Sequence, residues 1–223
     1  MLTLYFTLFV KSRFEKVYEG INRLLSESFL FRKNGGINVK QGLLIIDTQK
    51  ELVDGSEVEE GVVDKQRLLG NINHLIKKAR ELGVPVLFIR DKDVANGMGD
   101  GFDVHPSLWR EQSDIVFDKE ATNAFYQTGL LQHIKENDMQ HLVIAGCKTE
   151  HCIDTAVRTA TVNGLDVTLV GDAHSTSNTK YLAAQQIIDH HNHALHGHYN
   201  VDHFSIVRET QEEVFSPTHH MYR

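Results

Sequence analysis

The chain has only two cysteines, Cys147 and Cys152, in 223 residues. Two cannot build a disulfide framework, and that scarcity predicts a reducing, cytoplasmic setting. No apolar stretch approaches the roughly 18 residues that a membrane span requires. The opening MLTLYFTLFV is short, with no basic segment ahead of it and no small-residue cleavage site behind it. Neither a membrane partner nor a secretory signal is expected. Cations are in deficit, with 23 Lys and Arg against 30 Asp and Glu, and no basic stripe is interleaved with aromatics. Nucleic acid is therefore not an expected partner. Repeats and low-complexity tracts are missing too. What is present is ordinary for a globular protein: 41% hydrophobic and 24% charged residues. The length suits one sizeable core and is short for two ordinary domains.

Residues 1–38 differ from the rest. They carry six Lys/Arg against three Asp/Glu, whereas the remainder carries 17 against 27. Val17, Ile21, Leu24 and Leu25 suggest a helix between Phe14 and Phe31, broken by Asn34-Gly35-Gly36. Two readings fit: a peripheral N-terminal extension, or a translation start near Val39. The main domain is expected over residues 39–223.

Beyond residue 40, strand and helix signals alternate. Gly42–Ile46 (GLLII) reads as a buried strand. Leu68, Leu69, Ile72, Leu75, Ile76, Ala79 and Leu82 recur at helical spacing up to Gly83. Val84–Ile89, Ile115–Phe117, His141–Ala145, Leu165–Val170 and Phe204–Val207 read as further strands. Helices are expected over Thr128–Asn137, Glu150–Asn163 and Lys180–Leu195. The pattern predicts an α/β fold: a doubly wound, mostly parallel six-stranded sheet with helices on both faces, Rossmann-like and three-layered. In such sheets the site lies beyond the carboxyl ends of the strands, near the switch in strand order. That rule selects Asp47, Asp91, Asp118–Lys119, Gly146–Cys152 and Gly171–Asp172.

Cys152 falls within or just after the first turn of the expected helix. The free N–H groups there favour a thiolate, below the free-thiol pKa of about 8.5. The plain alternative is a small buried apolar residue. Asp47 closes a strand after four apolar residues, a costly place for a carboxylate unless it is solvated or paired. Lys119 follows IVFD and reaches the same sheet edge. Each charge taken singly reads as a loop charge. Together they form a unit in which Cys152 attacks, Asp47 takes or relays its proton, and Lys119 holds the charges in place.

These residues resemble the isochorismatase-like cysteine hydrolases over Gly42 to Val207. The resemblance is carried by LLIIDTQ, by HPSLW ahead of IVFDKEATNAFYQTGL, and by VIAGCKTEHCIDTAVRTATVNGLDVTLVGDAHST. The last segment is the most specific, pairing Gly146, Thr149 and Cys152 with a Thr-Ala-rich helix and a Gly-Asp-Ala turn. The resemblance implies a catalytic triad of Asp47, Lys119 and Cys152. It also implies a cis peptide between Cys147 and Lys148 that turns the Lys148 N–H beside that of Cys152, forming an oxyanion hole. Such a donor is typically worth about 3 kcal/mol in the transition state. It further implies a small-molecule substrate, no cofactor, and assembly as a dimer or tetramer. Phe102, His105, Trp109 and Phe125 are candidate pocket residues, in or beside the loops over that edge; Phe125 fits a plain core position equally well.

The chain also departs from its relatives. Nicotinamidases of this superfamily hold a metal through Asp-x-His after the second strand, whereas Arg90-Asp91-Lys92-Asp93 puts Asp93 where the histidine belongs. No metal is expected, and nicotinamide is demoted as a substrate. Lys148, where small or apolar residues are commoner, suggests a pocket for an anionic or carbonyl-rich ligand. Isochorismatases that cleave a vinyl ether can lack the cysteine, so its presence favours amide, lactam or carbamoyl cleavage. Small amides, ureides, carbamoyl compounds and the cyclic amide of streptothricin-type antibiotics all fit. His190, His191, His193, His196 and His198 crowd a helix end and read as solvated there rather than as a zinc site, with His219 and His220 further on near the C-terminus. His151 points about 100° away from Cys152 on a helix and is not expected to be its base. Two rivals stand beside the hydrolase: a non-catalytic, partner-binding member of the fold, and a thiol redox protein using Cys147 and Cys152, whose spacing is not C-x-x-C.

Overall fold

A computed structural model describes residues 39–222. The expected N-terminal extension and its helix lie outside the described residues. Apolar runs form the strands β1 (Gln41–Ile46), β2 (Val86–Asp91), β3 (Ile115–Lys119), β4 (His141–Cys147), β5 (Asp166–Ser175), β6 (Tyr199–Asn200) and β7 (His203–Arg208). They make one sheet in the order β3-β2-β1-β4-β5-β7-β6. All neighbours are parallel except β6 and β7. The described residues enter the sheet in the middle at β1, build outward to β3, then return to lay β4 on the other side of β1. The carboxyl ends of β1 and β4 therefore flank the switch in strand order.

Side-chain alternation explains why both faces are covered. Leu43 and Ile45 pack on one face, with Leu68, Ile72, Leu75 and Ile76 of α2 (Lys65–Glu81). Leu44 and Ile46 point to the other. There they meet Leu130 and Ile134 of α4 (Leu130–Glu136), Ala156 and Val157 of α5 (Asp154–Val162) and Leu195 of α6 (Ala184–Leu195). The helix predicted to stop at Gly83 does so: Gly83, at φ 67°, donates its N–H to Arg80 O at 3.1 Å, and Val84 donates to Ala79 O at 2.8 Å. Those bonds satisfy the last carbonyls.

The structure departs from the sequence reading in four places. The sheet has seven strands rather than six, because Asn200 and His203 close a short antiparallel hairpin with Val201 at φ 55°. A two-residue strand carries no readable alternation. The helices α1 (Lys50–Asp54) and α3 (Gly99–Phe102) are likewise too short to show a period. The helix expected from Lys180 begins only at Ala184, whose N–H is capped by Asn178 Oδ1 at 3.0 Å. β5 runs on through Gly171–Asp172 to Ser175, so those two residues are not at a strand end. Asp172 instead accepts bonds from Thr210 and Asn71 and ties the sheet to its flanks.

Gly146 is required where β4 meets β1. Its φ is 124°, and a Cβ there would lie 2.0 Å from Ile46 O, one residue before Asp47. Gly146→Ala is expected to cost roughly 3 kcal/mol or more, since backbone must move and the conformation is strained. A urea midpoint equal to that of the parent protein would refute this.

Candidate active site

Asp47 follows the last residue of β1 in a left-handed conformation, φ 49°, which Asp tolerates better than most residues. Its N–H donates to Ile89 O at 2.9 Å, and its side chain is 1% exposed. Lys119 ends β3, two strands away, with Asp91 of β2 as its register partner. Strand spacing of about 4.8 Å puts β1 and β3 roughly 10 Å apart, and the long lysine stem closes most of that gap. Lys119 Nζ sits 3.0 Å from Asp47 Oδ2, in contact with Asp91 Oδ2, and 3.5 Å from Cys152 Sγ. The three residues that the sequence singled out thus meet at one point, and Asp91 joins them.

Cys152 arrives by a different route. The Cys147–Lys148 peptide is cis, and the chain then turns through Thr149–Ile153 as a π-helical turn ahead of α5. The helix expected from Glu150 therefore begins with a wider turn. Its inner side is tied down by a buried relay. Asn192 Nδ2 donates to Gly171 O at 3.0 Å, so Asn192 Oδ1 accepts from His174 Nε2 at 2.8 Å. His174 Nδ1 is left to accept the Thr149 hydroxyl at 2.8 Å. Burial pulls the His174 pKa down to about 4, consistent with this neutral tautomer.

The electrostatics correct one expectation. Burial, followed by the Asp47 carboxylate, pushes the Cys152 thiol above its ordinary range, and Lys119 does not reverse this. The free N–H groups of a helix start are outweighed because Sγ is buried beside an acid. Burial also raises Asp47, and Lys119 partly offsets it, leaving a pKa of about 6. Lys119 loses by burial but gains more from Asp47, Cys152 and Asp91, so it stays charged. At neutral pH the resting set is a thiol, a carboxylate base and an ammonium. Asp47 Oδ1 is buried and has no hydrogen-bond partner among the described residues.

Oxygen and sulfur atoms of Asp47, Asp91 and Cys152 lie within 4.8 Å of one another, a grouping that could hold a metal. The Lys119 ammonium touches all three, so a metal would have to displace it. Cys147 is fully buried and packs on the opposite face of the sheet from Cys152, which disfavours a redox pair.

Above the triad opens a cavity of about 300 Å³, walled by residues that include Glu51, Glu59, Asp93, Lys148 and His151. Asp47, Asp91 and Cys152 contribute to its lining. None of the four pocket residues expected from the sequence is part of it. Phe102 is buried under Arg90, whose guanidinium lies 4.2 Å from the ring centre. His105 lines a neighbouring cavity and faces Asp54 at 3.5 Å. Trp109 is 57% exposed, with its backbone N–H donating to Asn73 Oδ1. Phe125 packs against the core beneath. The cavity is walled instead by α1 and the 93–95 loop, segments without a periodic signal. The anion preference expected from Lys148 is corrected as well, since its ammonium is paired with Glu59. His151 is 63% exposed on its side chain and lines the cavity without approaching the thiol as a base. The helix-end histidines do not converge with acids or cysteines into a metal-binding group among the described residues.

A family model described as the isochorismatase domain matches residues 41–196. The isochorismatase family protein YrdC of Bacillus subtilis (strain 168) is 28% identical over 139 residues, 60% of this chain and 73% of that protein. A streptothricin hydrolase of Streptomyces noursei is 30% identical over 141 residues, 61% of this chain and 50% of that one. Among solved structures, an isochorismatase from Pseudomonas putida KT2440 matches with a TM-score of 0.66 at 27% identity, covering 81% of this chain and 95% of its own.

Proposed function

The chain belongs to the isochorismatase family of hydrolases, and we propose that it cleaves a C–N bond of a small amide, cyclic amide or carbamoyl compound through a thioester on Cys152. The observation that carries this is the meeting of Lys119 Nζ with Asp47 at 3.0 Å and Cys152 Sγ at 3.5 Å on a cavity floor. Cys152 attacks the carbonyl as Asp47 takes its proton. The oxyanion is held by the Lys148 and Cys152 amides, and Lys119 steadies the negative charge of Asp47. The C–N bond then breaks, with the leaving nitrogen taking the proton from Asp47. Asp47 next deprotonates a water that attacks the thioester, and the carboxylic acid leaves as Cys152 recovers its proton. No step calls for a metal or cofactor. Assembly into a dimer or tetramer belongs to the same reading and is checked by light scattering.

A panel of amides, ureides and carbamoyl compounds, including streptothricin, assayed by ammonia release and product mass spectrometry, tests the reading. A protein inert on the whole panel would favour the partner-binding alternative. Activity is expected to survive prolonged EDTA treatment; loss on chelation with recovery by one added metal ion would overturn the metal-free chemistry. Iodoacetamide should label Cys152 and spare Cys147, which is fully buried. The pH profile gives a further check. Asp47 serves as base only when ionised, and its pKa is about 6. Accordingly kcat/KM should rise with pH through about 6 and level off above it. A profile flat from pH 5 to 8 would remove Asp47 as the base.

A further inference from the structure

Five of the cavity-lining residues are carboxylates: Asp47, Glu51, Glu59, Asp91 and Asp93. The cations do not balance them. Lys148 is taken up by Glu59, and Lys119 is shared between Asp47 and Asp91. Glu51 and Asp93 have no Lys, Arg or His partner among the described residues.

Their placement is specific. Glu51 stands in α1, and its Oε2 lies where Gly101 leaves room, since a Cβ on that glycine would be 2.7 Å away. Asp93 follows β2 and is anchored by its N–H to Asp91 Oδ1 at 3.0 Å, with Val94 and Ala95 beside it on the cavity wall. The floor carries further negative charge, since Asp47, held by Lys119 at 3.0 Å and facing the Cys152 thiol, lines the same cavity. A cavity with surplus negative charge on its walls concentrates cations and repels anions, with salt screening the exposed Asp93 and Glu59 more than the half-buried Glu51.

We infer that the substrate carries a positive charge, an ammonium or guanidinium set apart from the scissile carbonyl, and that Glu51 and Asp93 recognise it. The carbonyl then lies over Cys152 while the cationic end faces the wall formed by α1 and the 93–95 loop. This deepens the hydrolase reading and rests on it for the identity of the reacting group. It does not rest on it for the charge preference of the cavity.

The two can be separated with thiol reagents that need no turnover. Methanethiosulfonates bearing ethyltrimethylammonium, methyl and ethylsulfonate groups supply positive, neutral and negative probes. Each rate of Cys152 modification is divided by the rate of the same reagent with free mercaptoethanol, and peptide mass spectrometry locates the label. The normalised rate of the cationic reagent is expected to exceed that of the anionic one by at least about tenfold at low salt, and the ratio should shrink as salt rises. Glu51→Gln with Asp93→Asn should bring the ratio down by at least about threefold. In a parallel assay, 6-aminohexanamide should be hydrolysed faster than hexanamide, and hexanamide faster than adipic acid monoamide. A ratio near one, or a ratio the double variant leaves unchanged, overturns the charge preference, whatever the amides do. A strong cationic preference with no hydrolysis of any amide leaves the acidic wall standing and removes the hydrolase reading instead.

Discussion

Cys152→Ala is expected to lower kcat/KM by at least about 10⁴-fold, because no neighbouring group can replace the attacking sulfur. Asp47 would still be ionised and Lys119 still charged, but neither is placed to form a covalent intermediate. The fold should survive. Cys152 is 9% exposed at the boundary between core and cavity, and losing one sulfur atom there removes little packing. The stability change should stay under about 1.5 kcal/mol. Cys152→Ser should also be crippled, since a hydroxyl is harder to deprotonate than a thiol with the same base. Ammonia release and thermal unfolding measured on one preparation separate the two effects. An alanine variant within tenfold of the parent would end the covalent mechanism, whatever its stability.

Lys119→Met should damage both stability and activity. The substitution keeps the length of the side chain and deletes the only ammonium among the described residues that touches Asp47 and Asp91. Removing one partner of a buried ion pair typically costs about 3–5 kcal/mol, since the remaining charge has neither water nor a counter-ion. In a chain of this size that corresponds to a fall of roughly 10 °C in Tm. The loss should depend on pH in a definite direction. Burial already lifts the folded-state pKa of Asp47 from 3.8 to about 6 against the pull of Lys119, and without Lys119 it rises further. A raised folded-state pKa favours the protonated form, so stability from this group is present below about 3.8 and is lost as pH rises through the folded value. The variant should therefore recover part of its deficit between pH 7.5 and 5. Adding Asp47→Asn to Lys119→Met should be less harmful than the sum of the single changes, because it removes the stranded charge. A deficit independent of pH, or a double variant that simply adds, would show that Lys119 contributes packing rather than charge.

Much of this protein is local in origin and therefore legible along the chain. GLLII and HLVIA read as strands buried on both faces and are so, and Leu68 to Ala79 repeat every third and fourth residue as a one-sided helix does. A polar residue directly after each apolar run marks where a strand leaves the core. That signal found Asp47 directly and Asp91 and Lys119 one residue further on, after Arg90 and Asp118, and motif spacing found Cys152. The cavity wall gave no such signal. Glu51 lies in a segment without a periodic signal and Asp93 stands out only as a replacement for a histidine, so only the packing of α1 against α3 and the return of the 93–95 loop set them over the same floor. Loop position suggests Phe102, Trp109 and Phe125 as a lining, yet Phe102 packs under Arg90, Phe125 packs against the core, and the exposed Trp109 lies outside the cavity.

The thiol shows the same divide in a single group. Position at a helix start argued for a low pKa, and that inference uses only neighbours in sequence. Burial of Sγ beside Asp47 raises it, and Asp47 lies 105 positions earlier in the chain. By itself, then, the sequence determined the longer strands and helices and the doubly wound class, which follow from periodicity; strand ends bring Asp47, Lys119 and Cys152 to one edge, and the family resemblance singles them out as a set. Only the tertiary structure decided that one ammonium bridges two carboxylates, that Lys148 is neutralised by Glu59, and that the cavity mouth is acidic. Charge state and charge surplus are set by distances through space among segments remote in the chain, and those distances exist only once the sheet has closed β4 onto β1.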